Sequence, residues 1–252
     1  KINSSYFEFQ KNPERSFSER LIKIFGKPYL NLSIEENFQK YSNIASSAQI
    51  ILKKSVKNLI LKAKQLTGKN KIVLTGGVAL NCKMIHELSK QNIFEELIVP
   101  PSPGDSGSAI GAANFSYFYE NNKFLKDISL FPGPDKDDVN KEFKLNEFFE
   151  KVSQKENSLE MATELIIKGH ILSTYIEKTE TGPRALGNTS IICNAKDKLA
   201  VESLNNKIKK REFYQPLAPM LLKEKFEKYF SIQIVLKKIY IQWVLYVKQK
   251  RN

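Results

Sequence analysis

The alternation between Lys71 and Glu120 constrains the fold more than any other feature of the chain. "KIVLT" (71–75) is a short β-branched run that stops at Gly76-Gly77, and "VALNCKMIHELSKQN" continues as a helix. "EELIVPP" reads as a second strand, and "DSGSAIGAANFSYFYE" as a helix rich in small residues. Strand, glycine turn, helix, strand, turn, helix is the order of a parallel α/β sheet. Parallel neighbours need a long crossover, and a helix supplies it.

The flanking segments are read by the same rules. Residues 1–40 look irregular and aromatic, punctuated by Pro13 and Pro28. From Ala45 to about Gln65 the spacing predicts a helix. Ile50, Ile51, Val56, Leu59, Ile60 and Ala63 fall near one face, and Gly68 is placed as the C-cap. "NNKFLKDISLFPGPDKDDVN" holds Pro132, Gly133, Pro134 and a charge cluster, the composition of a linker. "LEMATELIIKGH" then predicts a helix ending near Gly169, "ILSTYIE" a strand, and "KDKLAVESLNNKIKKR" another helix. "EFYQPLAPMLL" is an extended segment held by Pro216 and Pro219.

Charge and cysteine content narrow the function classes. The formal net charge is +13 over 252 residues. From Lys207 to Asn252 there are 12 basic residues against 3 acidic, a net of about +9, so the excess sits late in the chain. A nucleic-acid surface, a membrane-surface patch and a phosphate-handling site compete to explain it. Lysine is scattered throughout, as are asparagine and isoleucine, which argues against a nucleic-acid partner. Cys82 and Cys193 lie far apart without a CxxC, which fits a reducing, cytoplasmic setting. The start has no apolar signal-peptide core and no initiator Met, which suggests a piece of a longer protein. "SIQIVLKKIYIQWVLYVKQK" is interrupted by Lys237 and Lys238, short of the ~20 apolar residues that a membrane span needs.

Three stretches carry candidate chemistry. In "TGGVALN" (75–81) a glycine pair after a strand and before a helix lets backbone N–H groups approach a phosphate, favoured by the helix dipole. Asn81 could bond a ribose hydroxyl or a phosphate oxygen. The motif has neither the P-loop lysine nor the dinucleotide spacing, and glycines present for tight packing alone remain the alternative. In "PPSPGDSGSAIGAA" (100–113), Asp105 stands at a strand-to-helix turn as an N-cap or as a metal ligand. His86 and His170 show no ligand spacing that would complete a metal site with it.

In "TETGPRALGNTSI" (179–191), Gly182-Pro183 and Gly187-Asn188 bracket Arg184, with Thr181, Thr189 and Ser190 around it. A guanidinium fork matches carboxylate or phosphate oxygens two at a time; an incidental surface arginine is the bland alternative. Lys207, Lys209, Lys210 and Arg211 crowd the end of the last predicted helix, either as a solvated basic face or as the second wall of an anion cradle.

"LTGGVALNCKMIHEL", "VPPSPGDSGSAIGAA", "TGPRALGNTSII" and "LNNKIKKREFYQPLAPMLL", in that order, resemble the bacterial O-carbamoyltransferases of the NodU/CmcH type. The likeness runs from about Phe17 to about Phe230. It implies an α/β protein: the second half of an actin-like (ASKHA) domain followed by a partial YrdC-like α/β domain. On that basis residues 1–127 are the C-terminal half of the carbamoyl-transfer domain. Residues 128–252 are the N-terminal part of the carbamoyl-adenylate-forming domain, with 231–252 an atypical tail.

The resemblance also implies the chemistry. Carbamoyl phosphate and ATP yield carbamoyl adenylate with loss of pyrophosphate, and the carbamoyl group passes to a hydroxyl of a small molecule or saccharide. Arg184, Lys209 and Arg211 are carried over as catalytic cations, and Gly76, Gly77, Asn81, Asn188 and Ser190 as nucleotide-binding. Asp105 is carried over as a ligand of a divalent metal, Fe or Mg. The missing metal ligands would come from a complementing N-terminal half; a homo-oligomer is the other expected assembly, and no membrane is involved.

The chain departs from the family where Glu177-Lys178 replaces Gly-Arg, and where Thr189 and Gln215 stand in place of arginines. These losses weaken the expected carbamoyl-phosphate cradle. They keep open a non-catalytic nucleotide-binding remnant and, more weakly, a relative of the tRNA threonylcarbamoyl transferases.

Overall fold

The computed structural model describes residues 3–9, 16–27, 34–100, 102–125, 129–134, 158–225, 228, 230–231 and 248–249. The chain forms two compact units, residues 1–54 and 55–252. The first is not irregular throughout, as its sequence suggested. Ser4–Tyr6 makes a 3₁₀ turn capped by Asn3, whose side chain accepts from the Ser5 N–H. Helix α1 is Glu19–Phe25. Phe7 and Phe17 make an antiparallel bridge, and the buried Ser18 hydroxyl donates to the Ser5 carbonyl at 3.0 Å. The Arg20 guanidinium lies 4.9 Å from the centre of the Tyr6 ring, a cation–π contact that ties α1 to the turn.

Helix α2, Ile34–Thr67, begins eleven residues before the expected Ala45 and runs across the boundary between the units. No Gly or Pro interrupts residues 34–67, so nothing stops the helix until Gly68. Gly68 takes φ +63° and its N–H closes on the Lys64 carbonyl, the expected C-cap. The predicted apolar face is only partly covered: Ile60 is buried, whereas Ile51 and Leu59 are 64% and 67% exposed.

The second unit holds the predicted strand–helix alternation, in shorter elements. Strand β1 (Lys71–Val73) pairs in parallel with β2 (Glu96–Ile98), Lys71 opposite Glu96 and Val73 opposite Ile98. Between them come a 3₁₀ turn, Gly77–Leu80, and helix α3, Cys82–Ser89. Helix α4, Gly107–Asn121, follows β2. Ala79, Met84, Ile85, Leu88 and Val99 are buried with Ile60 and form the core under this pair. Burial of each larger aliphatic side chain contributes about 1.5–3 kcal/mol. The Lys64 ammonium donates to the Ile93 carbonyl and sits over the Phe94 ring, so its stem covers the same core.

Helix α5 (Ser158–Ile167) ends before Gly169, which takes φ +88°. Strand β3 (Leu172–Tyr175) does not extend a parallel sheet. It pairs antiparallel with β4 (Thr189–Ile192), with Tyr175 opposite Thr189. Helix α6 (Lys198–Ser203) is capped by Asp197, whose carboxylate accepts from the Leu199 and Ala200 N–H groups. The helix expected to run on through Arg211 changes at Leu204–Ile208 into a wider π turn. The segment from Glu212 to Leu222 carries no regular secondary structure, in keeping with its two prolines.

Residues 126–128 and 135–140 of the expected linker, and most of the apolar tail after Phe230, lie outside the described residues. Phe230–Ser231 (β5) pairs antiparallel with Lys248–Gln249 (β6). No helix among the described residues is long and apolar enough to cross a membrane.

Candidate functional site

The turn after β1 is fixed by one carbonyl. Leu74 donates to Ile98 at 2.9 Å and prolongs the parallel ladder by one residue. Beyond it the Pro103 carbonyl accepts from the Gly76 N–H at 2.6 Å and from the Thr75 hydroxyl at 3.0 Å. The loops following β1 and β2 are thereby joined at the C-terminal edge of the pair, where open α/β sheets bind ligands. Gly76 has φ +89°, a conformation that other residues rarely adopt. Gly77 does not, and a Cβ built on it meets nothing within 4 Å. Neither backbone conformation nor internal packing therefore accounts for glycine at 77. Asn81 is the N-cap of α3 rather than a residue one turn inside it, and its side-chain oxygen accepts from the Met84 N–H at 3.0 Å.

Ser102 and Pro103 are buried, and Gly107 packs directly against Ser102: a Cβ there would fall 2.0 Å from the Ser102 carbonyl oxygen. Asp105 is exposed. The N-cap position of α4 belongs to Ser106, without a side-chain capping bond, so the carboxylate does not cap the helix. Among the described residues no three His, Cys, Asp or Glu side chains converge on a common point. A divalent ion needs several such donors, so the described residues do not by themselves fit a metal centre.

The Arg184 stretch is the connection of the β3–β4 hairpin, and Glu180 organises it. One carboxylate oxygen accepts from the N–H groups of Leu186 (2.9 Å), Asn188 (2.8 Å) and Thr189 (2.9 Å). The other accepts from the Thr189 N–H at 3.1 Å and from the Thr189 hydroxyl. Burial alone would raise the Glu180 pKa. The Thr189 hydroxyl and the N–H groups of Thr189 and Leu186 outweigh it and hold the carboxyl at about 2, below its ordinary 4.5. Because the folded value is the lower one, the stabilisation is complete above pH 4.5 and is lost as pH falls from 4.5 toward 2. Hydrogen-exchange protection of the Leu186, Asn188 and Thr189 amides is expected to decline across that window. Protection unchanged down to pH 2 would show that the carboxylate does not hold these amides.

The Asn188 and Ser190 side chains face the loop's own backbone. The Asn188 amide donates to the Lys178 carbonyl at 2.7 Å, and the Ser190 hydroxyl accepts from the Gly187 N–H at 3.0 Å. Both residues were expected to bind nucleotide; here they close the turn. Arg184 is exposed, and among the described residues its guanidinium has no hydrogen-bond or ion-pair partner.

The 204–216 segment is likewise folded on itself, around Asn205, only 4% exposed. The Arg211 Nε donates to the Asn205 side-chain oxygen at 2.8 Å, and its Nη2 to the Pro216 carbonyl at 3.4 Å. The Asn205 amide donates to the Gln215 carbonyl at 3.1 Å. Lys209 is exposed. Of the three cations expected to act together, Arg211 is thus engaged within its own loop, while Arg184 and Lys209 project outward.

Three of the four motif stretches meet. The Ser102 and Thr181 hydroxyls are 3.2 Å apart, next to the Pro103 carbonyl that holds Gly76. Thr181 also donates its N–H to the Leu130 carbonyl at 2.8 Å, and the Gly133 N–H reaches the Thr179 carbonyl at 3.3 Å. The Gly76, Asp105 and Arg184 loops are therefore linked by hydrogen bonds. Glu180 and Asn205 escaped the sequence reading. The signal for Glu180 was available: a carboxylate two residues before a glycine turn, followed by N–H groups with no ladder to join.

The family profile for the carbamoyltransferase N-terminus matches residues 1–114, and that for the carbamoyltransferase C-terminus matches residues 163–252. This chain belongs to the carbamoyltransferase family. The second match reaches the last residue, which corrects the expectation that the likeness ends near Phe230. Among curated relatives, an uncharacterised protein of Methanocaldococcus jannaschii is 33% identical over 219 residues, 84% of this chain and 36% of its own length. The nodulation protein NolNO of Sinorhizobium fredii is 28% identical over 199 residues, 77% of this chain and 29% of its own length. Nodulation protein U of Rhizobium fredii is 31% identical over 166 residues, 66% of this chain and 27% of its own length. This carbamoyltransferase-family chain thus spans about a third of the length of the relatives it matches.

Proposed function

We propose that this chain serves ATP-dependent O-carbamoylation. Carbamoyl phosphate and water would give carbamate and inorganic phosphate, carbamate would displace pyrophosphate from ATP to form carbamoyl adenylate, and the carbamoyl group would pass to a hydroxyl of a small molecule or saccharide with release of AMP. The observation that carries this reading is the junction of the Gly76, Asp105 and Arg184 loops, drawn from both matched parts of the family, at Ser102, Pro103 and Thr181.

In this reading the backbone at Gly76 and Gly77 admits the nucleotide closely. Arg184 and Lys209 stabilise the anionic oxygens of carbamoyl phosphate, and preorganised cations of this kind are worth most where negative charge is transferred. We assign residues up to about 127 to the actin-like transfer domain and the rest to the YrdC-like adenylate-forming domain. A divalent metal at Asp105 would take its further ligands from outside the described residues; when bound it would supply Lewis-acid chemistry at the acceptor.

The test is release of pyrophosphate from ATP that depends on carbamoyl phosphate, with Arg184→Ala as the comparison. Arg184→Ala is expected to lower adenylate formation far more than transfer from preformed carbamoyl adenylate. Equal losses in the two steps would refute the role given to Arg184. A second reading, nucleotide binding without catalysis, is favoured by Arg211, whose guanidinium faces Asn205 and Pro216. It predicts ATP binding with no carbamoyl-phosphate-dependent pyrophosphate.

A further inference from the structure

We propose that Glu180 is a positioning residue for anion binding: its carboxylate gathers the N–H groups of Leu186, Asn188 and Thr189 and so fixes the backbone from which Arg184 is presented. The inference rests on the anion-binding reading of Arg184 given above, and adds a residue with no direct part in it.

Arg184 lies in a connection of thirteen residues between Tyr175 and Thr189, too long for a tight hairpin turn to set its shape. Gly182 at φ +89° and Gly187 at φ +113° bend the chain on either side of the arginine, and glycines alone leave it free to move. What closes the connection is Glu180. Its two oxygens receive five hydrogen bonds from residues 186–189, so both ends of the segment carrying Arg184 meet at one carboxylate.

The direction of those bonds matters as much as their number. Glu180 is four residues from Arg184, close enough in sequence to pair with it and cancel its charge. The oxygens are instead filled by N–H and O–H donors, and the guanidinium is left exposed without a partner among the described residues. The donors also offset the negative charge that a carboxylate would otherwise set beside an incoming phosphate. One group thus holds the loop and withholds itself from the arginine. Binding gains when the presenting loop is ordered beforehand, because the ordering cost is not met on association.

The experiment is calorimetric titration of the full chain with carbamoyl phosphate, and separately with inorganic phosphate, alongside amide exchange and thermal melting. Glu180→Ala removes every acceptor and is expected to weaken carbamoyl phosphate binding by about tenfold or more, with loss of protection at Leu186, Asn188 and Thr189. Glu180→Gln keeps one oxygen and Thr189→Val keeps the N–H bonds, so each should give a smaller loss, of about two- to fivefold, in a protein that stays folded. Thr189→Ser should restore what Thr189→Val removes. Arg184→Ala should abolish binding and leave the three amides protected.

Wild-type affinity in a folded Glu180 variant whose amides have lost protection overturns the proposal and leaves the role of Arg184 standing. If Glu180→Ala does not fold, wild-type affinity in both Glu180→Gln and Thr189→Val overturns it equally. Wild-type affinity in Arg184→Ala, or no binding by the wild type, overturns the anion-binding reading and this proposal with it.

Discussion

Gly107→Ala is expected to destabilise the second unit by about 1–3 kcal/mol, the usual range for forcing a methyl group into filled space. The added Cβ would lie 2.0 Å from the Ser102 carbonyl oxygen and 3.1 Å from its carbon. These are backbone atoms of a buried turn, so no side chain can swing aside to make room. The 102–107 turn has to open. Opening it draws the Pro103 carbonyl away from Gly76 and the Ser102 hydroxyl away from Thr181, so the substitution disturbs three loops from one position. Gly111, one turn further along α4, is the control: a Cβ there meets nothing within 4 Å. Gly111→Ala should be neutral or stabilising by up to about 1 kcal/mol, through helix propensity alone. Chemical denaturation of the two variants checks the pair. Equal stabilities would mean that α4 does not pack against Ser102 as described.

Gly77→Val is expected to have the opposite profile, a large loss of ligand binding with little loss of stability. The fold leaves open space at this Cβ position, and the backbone is not in the region that only glycine tolerates. Valine therefore fits the chain. It does not fit a phosphate lying against the backbone N–H groups, which is the approach that a glycine turn before a helix permits. Titration with ATP should show a loss of about a hundredfold or more, with thermal stability within about 1 kcal/mol of the parent. Undiminished ATP affinity would remove the turn from the proposed nucleotide site.

The legible part of this protein was the part in which local pattern and chain direction agree. Gly76-Gly77 and the turn before α4 were read as the ends of two parallel strands, and β1 and β2 do pair that way, with both loops at one edge. The helical period before Gly68 gave the end of α2 correctly; its start was missed although Ile34, Phe38, Tyr41 and Ala45 continue the same spacing, because the polar residues between them were read with the irregular N-terminal stretch. Strand β4 was invisible for a different reason. "TSII" is too short to declare itself and is defined only by its partner across the hairpin. The π turn at Leu204–Ile208 contains the buried Asn205, whose amide donates to the Gln215 carbonyl, and no periodicity reports a contact of that kind.

Thr189 gains a second role in the fold. Compared with the family it registers as a lost cation. In the folded chain it gives Glu180 both an N–H and a hydroxyl, a role that only the pairing of residues nine apart reveals. Asn188 and Ser190 likewise make bonds that close the loop carrying their motif.

Pro103 carries a consequence of its own. A carbonyl oxygen has two lone pairs, and here both are taken, by the Gly76 N–H and the Thr75 hydroxyl. Any residue could offer that oxygen. Every residue except proline would bring an N–H into the same buried turn, and that donor would need a partner of its own. Proline is the one amino acid whose backbone accepts without donating. The imino acid thus lets two loops share a single saturated acceptor without creating a fresh polar debt beneath it.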